Sequence, residues 1–199
     1  MGSIYYLLAQ LPHLMYDQKP PMSSESFKDL ARPLIDKNDM NLLDRISLDP
    51  GEATGNKLID DWQEWERSLR SNLAIQRAKK LDRKRPENAM DTGQGSLPAA
   101  MKDASSVAVA AVTHEYTPLE VELYLDKERW AVIDLLSGYN YFSKNNVFAY
   151  YLKILLLERR QLFNAETGFA EYKSIYTQII ESPHDIIDDD GNISTGEHE

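Results

Sequence analysis

Between residues 57 and 83 the apolar side chains return at Leu58, Trp62, Trp65, Leu69 and Leu73. Steps of four, three, four and four place them on one stripe of a 3.6-residue helix, so the pattern predicts a long amphipathic helix. Further along, ten of the eleven residues from Val147 to Leu157 are apolar, with Lys153 the interruption, and the run stops at Glu158, Arg159 and Arg160. As a helix this run covers about 16 Å, half of what a bilayer requires. As a strand it is poor in β-branched residues, with only Val147 and Ile154. A helix that is apolar on all sides is one surrounded by other helices. The run therefore predicts the central helix of a bundle, near residues 144–165, with Leu155 and Leu156 both buried.

Shorter elements fill the rest. "IYYLLAQL" (4–11) is apolar and stops at Pro12, and its pattern leaves helix and strand open. The serines of "SSESF" can cap a helix that turns Phe27, Leu30 and Ala31 inward, and Asp36 can cap the next, through Met40, Leu43 and Ile46. Pro50-Gly51 predicts a turn. Residues 99–112, rich in alanine and valine, read as helix. Pro118 opens a further helix with Leu119, Leu123, Trp130, Ile133 and Leu136 inward, and Gly138 ends it. Gly168 breaks the central helix, and "FAEYKSIYTQII" predicts one more. The expected fold is all-α, a bundle of about six to eight helices. Its organisation reads as an N-terminal helical unit (1–85), a linker or mobile loop (86–105), a C-terminal helical unit packed with the first (106–182) and an acidic flexible tail (183–199).

Composition narrows the function classes. The 199 residues contain no cysteine, which excludes disulfides, thiolate metal sites and cysteine nucleophiles. Met1-Gly2-Ser3 has neither the basic start nor the cleavage pattern of a secretory signal, and no apolar run is long enough to span a membrane. The expected location is cytoplasmic. The net charge of −10 is uneven: residues 1–85 carry 14 Lys and Arg against 13 Asp and Glu, and the remainder 8 against 19. That balance argues against nucleic acid and against an anionic membrane surface as partners.

Candidate chemistry is sparse. His13, His114, His184 and His198 show no i, i+4 pairing of a metal helix, "GQG" at 93–95 lacks the lysine of a phosphate loop, and no G-x-S-x-G occurs. The pairs Asp60/Asp61 and Glu64/Glu66 read as the solvated outer side of the long helix. "DDDGNISTGE" (188–197) imitates a calcium loop with Gly191 at position six, but position one falls on Ile186, which has no side-chain oxygen. No catalytic, cofactor-binding or metal-binding residue is expected. The basic run "RAKKLDRKR" (77–85) suits a helix C-terminus.

Three stretches together resemble a bacterial family of uncharacterised proteins encoded among V-type ATPase subunits, which in turn resembles the d-type rotor subunit of V/A-type ATPases. They are "YYLLAQLPHL" with "KPPMSSESF", then "LRSNLAIQRAKKL" (69–81), and then "PLEVELYLDKERWAVIDLL" through "AYYLKILLLERRQLFNAETGFAEY". They cover about half the chain. The d-type rotor subunit has three similar helical units, and this chain has room for about two. The resemblance implies a non-catalytic helical subunit or adaptor that binds no cofactor and helps seat the central shaft on the membrane ring. It also implies a place at the inner face of the membrane through the complex, without insertion. A stand-alone assembly factor is the alternative, and an enzyme is the reading from a different class. Arg77, Lys80, Arg83, Glu158, Arg159 and Arg160 are the candidate partner-facing residues, with an ion-pair network inside the bundle the equal alternative for the last three.

Overall fold

In the computed structural model the described residues are 2–82, 103–163, 173–177, 186–187 and 193–194. Seven helices follow in order: α1 (Gly2–Gln10), α2 (Ser24–Ala31), α3 (Lys37–Arg45), α4 (Lys57–Lys80), α5 (Ala104–Thr113), α6 (Pro118–Ser137) and α7 (Lys144–Gln161). The fold is all-α. Residues 173–177 form a further short helical stretch. Beyond it Ile186–Ile187 pairs antiparallel with Ile193–Ser194 in a two-residue ladder.

Local chemistry sets the helix boundaries. Ser23 caps α2 by accepting from the Ser26 amide, Asp36 caps α3 through the Asp39 amide, and Asn56 caps α4 through the Leu58 and Ile59 amides. At α6 Thr117 and Glu120 form a reciprocal capping box, with Pro118 in the first turn, where its missing N–H costs nothing. Gly138 ends the helix with φ +71°, a conformation that disfavours any residue with a Cβ. The segment 4–11, open between helix and strand in sequence, is helical through Gln10.

Residues 1–161 form one compact unit and 162–199 a second. The described helices before and after the expected linker share one hydrophobic core. The most extensive packing is between α4 and α5, followed by α6 against α7. α5 is built from alanine and valine, whose small side chains let it lie close along α4. It begins at Ala104, inside the expected linker; residues 86–102 of that linker lie outside the described residues, as do Gly168 and most of the tail.

All five residues of the α4 stripe are buried, and Trp62 and Trp65 stack with ring centroids 6.0 Å apart. The burial of α4 goes further than its stripe. Asp61 and Glu66, expected on the solvent side, are 8% and 0% exposed, because helices cover α4 from several directions. The inward face of α6 includes Ile133, as expected, but is otherwise shifted. Leu125, Asp126, Glu128, Arg129, Val132 and Ile133 are buried, whereas Leu119 is exposed and Leu123, Trp130 and Leu136 are half-buried. The first turn of α6 projects beyond the core, which explains Leu119.

α7 is the central helix, although it ends at Gln161 and not near 165. Leu156 is buried, but Leu155 is only partly so. Leu156→Ala should therefore cost about 2 to 5 kcal/mol, and Leu155→Ala clearly less, as read by urea denaturation. Equal losses at the two positions would contradict the helix orientation described here.

Candidate functional site

The polar residues inside the bundle gather where α4, α6 and α7 meet. Arg129 on α6 grips Glu66 on α4 with one edge of its guanidinium, Nε to Oε2 at 3.0 Å and Nη2 to Oε1 at 2.9 Å. Its Nη1 donates to Asp126 Oδ1, one helical turn back, at 2.9 Å. Bidentate, charge-assisted bonds of this kind are the strong class of hydrogen bond. Glu66 also accepts from Arg70 Nε at 2.8 Å, an i, i+4 pair along α4, and Arg70 reaches Asp49 in the preceding loop at 2.8 Å. From α7, Arg159 donates to Asp126 Oδ1 at 3.2 Å and to Glu122 Oε2 at 2.6 Å. Arginines and carboxylates thus interlock across three helices and one loop.

The electrostatics follow from burial. Burial raises the Asp126 carboxyl above its ordinary value, against the opposing pull of Arg159 and Arg129. Its second oxygen, Oδ2, is buried and has no hydrogen-bond partner among the described residues. Burial works against the charge of Arg129, but Glu66 and Asp126 outweigh it and hold the guanidinium above its ordinary pKa.

Beside this network lies a cavity of about 560 Å³. Arg70, Arg77, Arg129 and Arg159 line it, with Asp49 and Glu122, over an apolar side formed by Leu48, Leu73, Ala74 and Leu125. A smaller cleft of about 260 Å³ runs between the residues after α1, the end of α6 and the start of α7. In its wall Tyr150 donates to the Pro12 carbonyl at 2.8 Å, and burial pushes its phenol up to about 12. Lys153 pairs with Asp134 and lies over the Trp130 ring.

The six residues singled out in sequence divide into groups. Arg77 and Arg159, 82 positions apart in the numbering, meet at one carboxylate: Glu122 lies 4.0 Å from Arg77 Nη2 and 2.6 Å from Arg159 Nη2. Glu158 Oε1 accepts from the Ser24 amide at 2.7 Å, adding a carboxylate to the N-terminal end of α2, where the helix dipole favours it. Arg160 donates to the Tyr16 carbonyl at 2.6 Å and stacks over the Tyr16 ring at 4.4 Å. Lys80 donates to the Val112 carbonyl at 2.9 Å, near the end of α5, and Arg83 lies outside the described residues. Within the bundle Arg159 pairs with Glu122 and Asp126, Arg160 pairs with Asp17, and Glu158 is tied to the Ser24 amide.

Sequence reasoning missed Glu66, Glu122, Asp126 and Arg129. Faint signals were present in the i, i+4 pair Glu66 and Arg70 and the i, i+3 pair Asp126 and Arg129, both flanked by core residues. Among the described residues, no helix is long and apolar enough to cross a membrane. Comparison of the chain with protein-family models, with curated proteins and with solved structures finds no match.

Proposed function

We propose that the protein is a non-catalytic helical component or adaptor of a bacterial V/A-type rotary ATPase, similar to the d-type rotor subunit, and acts by binding other subunits between the central shaft and the membrane ring. The observation that carries a binding role is a cluster of aromatic rings left at the surface. Tyr5 stacks on Phe142 at 5.0 Å, Phe142 meets Tyr141 edge-on at 5.3 Å, and Tyr139, on the same loop, is fully exposed. Gathered exposed rings mark interaction surfaces, and tyrosine and phenylalanine are enriched in protein interfaces. The choice of a rotary ATPase as partner comes from the resemblance. Within the fold, the first and third of the stretches that carry the resemblance meet at the polar end of α7, where Glu158 accepts from the Ser24 amide. With Glu158, Arg159 and Arg160 engaged inside the bundle, Arg77 and Lys80 remain, among the described residues, as the exposed cations of the six.

The test is co-purification of the tagged full chain with co-expressed rotary-ATPase subunits. The wild type should retain at least one of them. Replacing Tyr139, Tyr141 and Phe142 together by Ser should reduce recovery at least tenfold while the helical signal stays unchanged. Reversing Arg77 and Lys80 to Glu should weaken binding less and flatten its salt dependence, since opposite-charge contacts across the interface are lost. A wild-type protein that retains none of the ATPase subunits defeats the reading. A wild type that binds, with both variants binding equally well, keeps the partner and rejects these surfaces.

A further inference from the structure

The cavity beside the ion network has the size of a small-molecule site, for which about 300 to 1,000 Å³ is usual. Its wall carries four guanidiniums against two carboxylates. Glu66 and Asp126, behind the wall, satisfy Arg129 and the inner edges of Arg70 and Arg159. Arg77 is in a different position. It projects from the last turns of α4, about half exposed, and among the described residues its nearest counter-ion is Glu122 at 4.0 Å, the outer limit of an ion pair. Its planar fork of donors is therefore open to the cavity. Arg129 is 5% exposed and locked by three hydrogen bonds, so it contributes a fixed cation whose geometry does not have to be organised on binding. Beside the cations, the partly exposed Leu48 and Ala74 offer an apolar surface.

We propose that this cavity binds a small organic anion, a carboxylate or phosphate ester with a short apolar body, whose anionic group is held between Arg77 and Arg159. Glu122 occupies that place in the structure and acts as an internal stand-in for the ligand's head group. Binding turns Glu122 aside and closes the loose Arg77 contact into a bidentate one. The ligand's apolar part rests on Leu48 and Ala74. This site is separate from the aromatic surface assigned to a protein partner, shares only Arg77 with the cations tested there, and does not depend on which protein that partner is.

The test uses the full chain, with citrate and inorganic phosphate as probes and sodium chloride at matched ionic strength as the reference. Melting temperature and titration calorimetry are the readouts. At least one probe should bind saturably and raise the melting temperature beyond the chloride reference; citrate alone points to a carboxylate ligand, phosphate alone to a phosphate ester. Arg77→Gln should weaken that binding at least tenfold with the unliganded melting temperature unchanged. Lys80→Gln, which removes the same charge one turn further along outside the cavity, should leave binding intact. Glu122→Gln should strengthen binding severalfold by releasing both arginines. Failure of both probes to bind saturably overturns the proposal. Equal loss in Arg77→Gln and Lys80→Gln also overturns it, because the response is then general charge screening.

Discussion

Arg129→Met should cost the protein about 3 to 5 kcal/mol, the usual penalty for removing one member of a buried ion pair. The loss comes less from the missing bonds than from what stays behind: Glu66 and Asp126, both fully buried, lose the cation that links them. The deficit should depend on pH in a defined sense. Burial already raises the Asp126 carboxyl above its ordinary 3.8, and Arg129 is among the groups that oppose the rise. Without Arg129 the folded-state value climbs further. A group raised in the folded state contributes stability that is present below its unfolded value and lost as pH rises through the folded one. The gap between variant and wild type should therefore be full at neutral pH and shrink as pH falls toward about 4. Urea denaturation at a series of pH values measures it. A gap that is constant across that range would show that the carboxylates are solvated in the variant.

Trp65→Ala should destabilise by a similar amount, about 3 to 5 kcal/mol. The indole is 0% exposed, stacks on Trp62, and stands on the stripe that α4 presents to the core. Removing it takes away a large contact area and leaves a cavity between helices that cannot all close in. Trp65→Phe keeps a ring in the same place and should lose less. Far-ultraviolet circular dichroism during thermal unfolding separates the two variants without relying on tryptophan fluorescence. A Trp65→Ala protein melting with the wild type would place this residue outside the core.

Much of the fold is legible in the chain, because the strongest signals come from local rules. The stripe at Leu58, Trp62, Trp65, Leu69 and Leu73, the caps at Asp36 and the serines before Phe27, and the stop at Gly138 all depend on neighbours within one or two turns. The site is less legible for the same reason. Apolar periodicity reads every carboxylate as facing water, which puts Glu66 on the outside. Its partner Arg129 lies 63 residues away, and no spacing rule joins them. The face of α6 is read only in part, for a related reason: Ile133 is inward as expected, but once Asp126 and Arg129 count as buried, Leu125 and Val132 join it and Trp130 moves to the flank. Arg77 and Arg159 stand out as helix-end charges, but their meeting at Glu122 depends on the packing of three helices.

The ties made by α7 also bear on how the molecule is assembled during synthesis. Tyr150 reaches Pro12 across 138 residues, Glu158 reaches Ser24 across 134, and Arg160 reaches Tyr16 across 144. Contacts so distant in sequence form late, because the entropy of closing the intervening chain is lost before they contribute anything. A ribosome delivers α1 and α2 first, yet their anchoring groups lie on the last helix of the unit. These early segments must wait, with Leu7, Leu8 and Phe27 uncovered, until residue 160 has emerged from the exit tunnel. Translation speed and chaperone access over that interval therefore bear on the yield of native protein, and a chain halted before α7 lacks the ties that Tyr150, Glu158 and Arg160 make to Pro12, Ser24 and Tyr16.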